Sequence, residues 1–150
     1  MSRTDPDRGL RAVARVREVR ERDSRLGLLR ASEEHRAQEQ RAEELDQTVR
    51  LRAADGAPQG QGLPQWAEQR RALMALAAAA GRAHADAEAA ARLKASAHEH
   101  WQRDRARLGA VEHLLGLRAQ ARHEELERAA ARELDDIGGQ AWLRRREAAR

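Results

Sequence analysis

The chain has 150 residues, no Phe, Tyr or Cys, and only three Trp, yet 36% of it is charged, so the large side chains of an ordinary globular core are missing. Without Cys there are no disulfides and no thiolate metal sites. The 29 basic and 25 acidic residues nearly cancel to a formal net charge of +4, which argues against a strongly cationic binding protein. All the basic residues but Lys94 are Arg, and this accounts for a pI near 10.9.

Ala, Arg, Glu, Leu and Gln dominate, and these are strong helix formers. The β-branched residues are only Val13, Val16, Val19, Val49, Val111, Ile137, Thr4 and Thr48, too few to furnish the pleated faces of a sheet. The expected class is therefore all-α. Asp5-Pro6-Asp7 reads as a helix start: a capping carboxylate, Pro in the first turn, and a second acid near the positive end of the dipole. A first helical arm is predicted over about 6–53. Its best heptad stretch is Leu28, Ala31, His35, Gln38, Ala42, Leu45 and Val49, in alternating steps of three and four. Upstream, Leu10, Val13 and Val16 suggest a second apolar stripe whose phase drifts against the first near Gly27. Glu18–Arg22, Glu21–Arg25 and Asp46–Arg50 are spaced to pair within the helix.

Residues 54–64 hold three Gly and two Pro and are predicted to be a linker, with Pro64 opening the next helix. A second arm is predicted over about 65–137. In it Trp101, Leu108, Leu115 and Arg122 recur every seven residues, with Ala119 and Leu126 expected in the complementary positions. Gly138-Gly139 is expected to stop this helix, leaving a basic tail over 138–150. At about 1.5 Å per residue the arms would span roughly 70 Å and 110 Å. A lone helix with a narrow apolar stripe is not stable. A single-domain antiparallel two-helix coiled coil, a long helical hairpin with part of arm 2 overhanging, is the simplest way to bury the stripes, and a dimer through the arms is the alternative. Leu28, Leu45, Val49, Leu108 and Leu115 are the expected seam and the most buried large side chains.

Charge is uneven along the chain. The net is +4 over residues 1–30, −2 over 31–53, zero over 54–100 and +2 over 101–150. Both ends are basic. None of His35, His84, His98, His100, His113 and His123 has another His three or four residues away, so a metal site on one helix face is not expected. There is no phosphate-binding Gly loop and no recognisable nucleophile–base motif, so neither cofactor nor catalysis is expected. Nucleic-acid binding would want a concentrated basic face and stacking aromatics. Here acids interleave with Arg. Arg144-Arg145-Arg146 beside Trp142 is the only support for a basic membrane-surface helix. The longest uncharged apolar run, Ala72–Gly81, is about half of what a bilayer needs. The Arg-studded first 25 residues lack the apolar region of a secretory signal, and a cytoplasmic protein is the expectation.

Leu73, Ala77, Ala80 and His84 fall on one face of the Ala-rich stretch from Ala72 to Ala91. Small residues there would let two helices pack closely. The other reading is a shallow exposed patch on which another protein's helix or peptide docks.

Together these features resemble the flagellar export protein FliJ family, over roughly Arg8 to Ile137. The first arm reads Leu10-x-x-Val13-x-x-Val16-Arg17-Glu18, followed by Glu21, Leu28 and Ala31. The Gly/Pro break lies about a third of the way along, and the second arm closes with Arg132-Glu133-Leu134-Asp135-Asp136, similar to the acidic ending of that family. The break is richer in Gly and Pro than the family pattern, the region around Ala79 is richer in Ala, and the Gly138-Gly139 tail departs from it. The resemblance implies an antiparallel two-helix stalk that binds and stimulates the hexameric flagellar export ATPase of type III secretion. It also implies contacts with the export gate in the membrane and with export chaperones, at the inner face of the cell membrane at the flagellar base. On this resemblance Arg11, Arg15, Arg17, Arg20, Arg128 and Arg132 would face the ATPase, and Leu73, Ala77, Ala80 and His84 the gate. A coiled-coil scaffold with no motor partner and a nucleic-acid-associated helical protein are the readings from other classes.

Overall fold

The computed structural model describes residues 5–56, 60 and 62–148. Residues 1–4, Ala57, Pro58, Gln59 and Gln61 of the expected linker, and residues 149–150 of the expected tail lie outside the described residues. Of those described, 95% are helical and none is in a strand. Helix α1 (Arg8–Ala54) and helix α2 (Leu63–Ala148) pack against each other as an antiparallel helical hairpin. The expected fold class holds.

The helix ends follow from local chemistry. Asp5 Oδ1 accepts from the Asp7 N–H at 3.0 Å, and the Asp5 carbonyl accepts from the Arg8 N–H at 3.1 Å, so donors with no partner in the first turn are satisfied. At the far end of α1 the Asp55 N–H donates to the Leu51 carbonyl, and Gly56 then turns left-handed at φ 63°. That conformation favours Gly because a Cβ would be strained there. Gln65 Oε1 accepts from the Gly62 N–H at 2.8 Å and closes the start of α2, the half of a capping box that a residue at the third helical position supplies. Pro64 sits in that first turn, where it removes no helical donor.

The other end of α2 corrects the sequence reading. The helix does not stop at Gly138-Gly139 but continues to Ala148. Neither Gly is left-handed, and a Cβ at either would meet nothing within 4 Å. Each Gly in a helix costs about 1 kcal/mol relative to Ala. Without a Pro or a left-handed turn, that is too little to end a helix.

The chain forms two compact units. One consists of Val19–Arg105. Its α1 seam is Glu21, Ser24, Leu28, Ala31, His35, Gln38, Ala42, Leu45 and Val49, all buried or half-buried in alternating steps of three and four. The expected heptad from Leu28 to Val49 is therefore the real one. Facing it, Ala80, Ala83, Ala87 and Ala90 are buried, at 4–9% exposure. With side chains this small, helix axes approach more closely than large ones allow. Register is pinned by two polar contacts: His84 Nε2 to Asp46 Oδ2 at 2.8 Å, and the Trp101 indole N–H donating to Glu21 Oε1 at 2.9 Å. Two acids expected to pair along α1, Glu21 and Asp46, thus reach across to α2.

The other unit consists of Met1–Glu18 and Ala106–Arg150. Here Leu10, Ala14 and Arg17 are the half-buried α1 positions, and they continue the same three-four alternation. The expected phase drift does not occur. Val13 and Val16, expected in the stripe with Leu10, are instead 44% and 55% exposed, because the seam takes the smaller and more polar residues one step on. On α2, Leu108 is buried at 4%, with Val111, Leu115 and Arg122 half-buried. Ala119 and Leu126 are exposed, while the positions complementary to Leu115 and Arg122 are half-buried Val111 and Arg118, whose guanidinium reaches Asp7 from an otherwise exposed position. Of the five large side chains expected in the seams, only Leu108 is fully buried; Leu28, Leu45, Val49 and Leu115 are half-buried. At most seam positions two helices leave one side of a large side chain open to solvent.

Candidate functional site

Among the described residues no group of three or more His, Asp or Glu is placed to hold a metal ion. The surfaces that could do something are an arginine-rich end and a shallow apolar groove.

At the first, Asp7 is only 1% exposed. Its Oδ1 accepts from Arg118 Nη1 at 3.2 Å, and its Oδ2 lies 2.6 Å from Arg122 Nη1. Burial pushes this carboxyl up, but its close contacts with Arg118 and Arg122 and their charges outweigh it and hold the group below its ordinary value. Arg118 and Arg122 stand one turn apart on α2, so both guanidinium forks reach one carboxylate. Sequence reading missed this pair. Its only trace was two Arg at i and i+4, one of them in the seven-residue repeat, which becomes legible once the register places the start of α1 against them.

The expected ATPase-facing arginines are divided between the two units. Arg11 pairs with Asp5 at 2.7 Å, and Arg15 is exposed. Arg17 is half-buried on the seam. Arg128 pairs along α2 with Glu124 at 2.9 Å, and Arg132 Nε donates to the Arg128 carbonyl. Arg20, exposed on α1, belongs to the Val19–Arg105 unit. The structure does not bring Arg128 and Arg132 beside Arg11 and Arg15. Asp7 lies against Arg118 and Arg122, α1 runs back from there, and α2 continues past the start of α1 in the other direction. Beyond Glu124 nothing described on α2 is buried, and only Ala141 is half-buried.

The expected gate-facing residues lie in the Val19–Arg105 unit and divide between two environments. Leu73 is half-buried and lines a groove with Leu76, Trp66, Thr48, Arg52 and Gly56 near the hairpin turn. The Arg70 guanidinium stacks over Trp66 at 5.4 Å on its rim. Ala77 and His84 are exposed, with His84 held by Asp46. Ala80 is 5% exposed, which corrects the expectation that all four residues are at least partly open. Ala80 packs in the seam because it falls on the three-four alternation, while Ala77 and His84 fall beside it. At Ala80 the close-packing reading of the alanines is the correct one.

An antiparallel pair of long helices meeting along a three-four seam is, by class, a coiled-coil protein. The family model described as Flagellar FliJ protein matches residues 7–147. The chain belongs to that family, and it is a coiled-coil protein related to flagellar export. The family is non-catalytic, of structural or chaperone-like character. No curated protein and no solved structure matches the chain. Among the described residues no helix is long and apolar enough to cross a membrane.

Proposed function

We propose that this protein is the stalk that binds and stimulates the hexameric flagellar export ATPase and contacts the export gate, working at the inner face of the cell membrane at the flagellar base. The carrying observation is the family match over residues 7–147 on a hairpin whose chain ends are its basic segments. A rod end meeting several ring subunits at once has no single deep pocket to fill. Dispersed exposed arginines suit such a contact, because each one is weak and salt-screened and only their sum holds. The proposed contacts are Arg11 and Arg15, with half-buried Arg17 and with Arg20 further along α1, and, apart from these, Arg128 and Arg132 on α2. At the turn, Leu73, Ala77 and His84 present a small apolar step with one imidazole, which suits a gate segment or an export chaperone. Ala80 supports that face from beneath. The protein itself turns over no ATP, needs no cofactor and binds no nucleic acid.

The experiment is ATP hydrolysis by the purified export ATPase with and without this protein. Arg15, Arg20 and Arg128 are exposed, so reversing them together to Glu keeps the seam and leaves helix content unchanged. Stimulation is then expected to vanish, whereas each single Arg→Ala keeps most of it. In the wild type, stimulation falls as ionic strength rises. Full stimulation by the triple reversal at low salt would refute the arginine surface. No stimulation by the wild type would leave a scaffold without a motor partner.

A further inference from the structure

At the start of α1 the most buried contact with α2 is an ion pair. In its first two turns only Leu10 and Ala14 turn toward the seam, and both are half-buried. Val13 stands in solvent. Asp7, the least exposed of the described residues, is nevertheless a carboxylate. A buried charge is tolerated only when paired and hydrogen-bonded, and Asp7 meets Arg118 on one oxygen and Arg122 on the other. Both arginines keep about half of their side chains open to solvent, at 50% and 41%. They can therefore be reached without unfolding either helix.

We propose that Asp7, Arg118 and Arg122 form an electrostatic latch that holds the first two turns of α1 on α2 and releases them when a competing carboxylate takes the two arginines. Two guanidiniums one helical turn apart make a receptor of general carboxylate specificity, and the chain's own Asp7 fills it in the closed state. Opening frees residues 8–14, including Arg11, and exposes the Arg118–Arg122 pair. The alanine-packed unit also buries a carboxylate, Asp104 at 5% exposure with His100 one turn before it on the same helix, but its helices meet through Ala80, Ala83, Ala87 and Ala90, whose close apolar contact does not rest on an ion pair. The charged groups around the latch are Arg118 and Arg122 on α2, Arg8 and Arg11 on α1, and Asp5 just before α1, already engaged by Arg11 at 2.7 Å. The latch is a property of this chain alone and does not depend on the ATPase reading.

The test is amide hydrogen exchange on the full chain. In Asp7→Asn the amides of residues 12–16 are expected to exchange about tenfold faster, because exchange there follows local opening of the first turns of α1. Amides of residues 35–50 keep their wild-type rates. The Arg118→Gln/Arg122→Gln variant gives the same pattern by removing the other side. Raising salt from about 0.1 M to about 1 M, which shortens the screening length from about 10 Å to about 3 Å, speeds residues 12–16 in the wild type but not in Asp7→Asn. A short Glu-rich peptide does the same at low salt, while a Gln-rich peptide of equal length does not. If Asp7→Asn and the double Arg variant both leave residues 12–16 as protected as in the wild type, there is no latch. If protection is lost along the whole chain as well, Asp7 is a general structural staple and the proposal of a local latch fails.

Discussion

The two units solve the same problem, closing a two-helix seam, with opposite chemistry. In Val19–Arg105, buried alanines on α2 meet Ala42 and its neighbours, and polar contacts such as Trp101–Glu21 fix the register at the edges. In the unit holding the start of α1, one buried leucine, Leu108, is followed outward by half-buried Val111 and Leu115 and then by an ion-paired aspartate. Close apolar packing is indifferent to salt and almost so to pH, whereas an ion pair responds to both. The difference shows how one repeat pattern can close one stretch on methyl groups and another on an ion pair.

The most disruptive change should fall on the alanine seam. Ala80→Glu puts a bulky, unpaired charge into a buried methyl's place and is expected to lower stability by about 3 kcal/mol or more. Urea unfolding followed by circular dichroism measures it. A near-neutral result would mean that Ala80 is a docking residue after all. Leu108→Ala comes next, with a loss of roughly 2–3 kcal/mol. Leu126→Ala, at a position 69% exposed in the structure, should stay within about 0.5 kcal/mol. Equal effects for these two leucines would break the assigned seam.

A subtler effect sharpens the contrast through pH. The Asp7 carboxyl titrates below its ordinary value in the folded chain, so folding favours its ionised form. Its stabilisation is complete above the unfolded value, about 3.9, and disappears as pH falls through the lower folded value. Asp7→Asn should therefore melt earlier than wild type at pH 7, and the two curves should converge in strong acid. A melting difference that persists unchanged at about pH 2, well below the unfolded value, would contradict this. The smallest effect concerns the end of α2. Gly138→Ala/Gly139→Ala meets no steric obstacle and should raise local helix stability by about 1 kcal/mol per site. The readout is slower amide exchange over 134–145, with hardly any shift of the main unfolding transition.

Much of this was legible in the sequence. The helix-forming composition, the Gly/Pro break and the step from Leu28 to Val49 fixed two helical arms and half of one seam. The phase upstream of Gly27 was not legible, because apolar character alone favoured Val13 and Val16 while the seam runs through Ala14, Arg17, Glu21 and Ser24. Polar residues can hold seam positions when the opposite helix offers them partners, and a single strand of sequence does not show what lies opposite.

Ala77 and Ala80 make the same point at close range. Their side chains are identical, yet one is exposed and the other buried. The sequence by itself determined what is local: helix propensity, the helix start at Asp5-Pro6-Asp7, the Gly/Pro break with Pro64 opening α2, and the family. The tertiary structure decided what depends on register: that Ala80 is packed, that Glu21 and Asp46 reach across, and that Asp7 lies between Arg118 and Arg122. Local choices depend on a residue's own backbone energies, whereas a pairing more than a hundred positions apart depends on how every layer between the two helices fits.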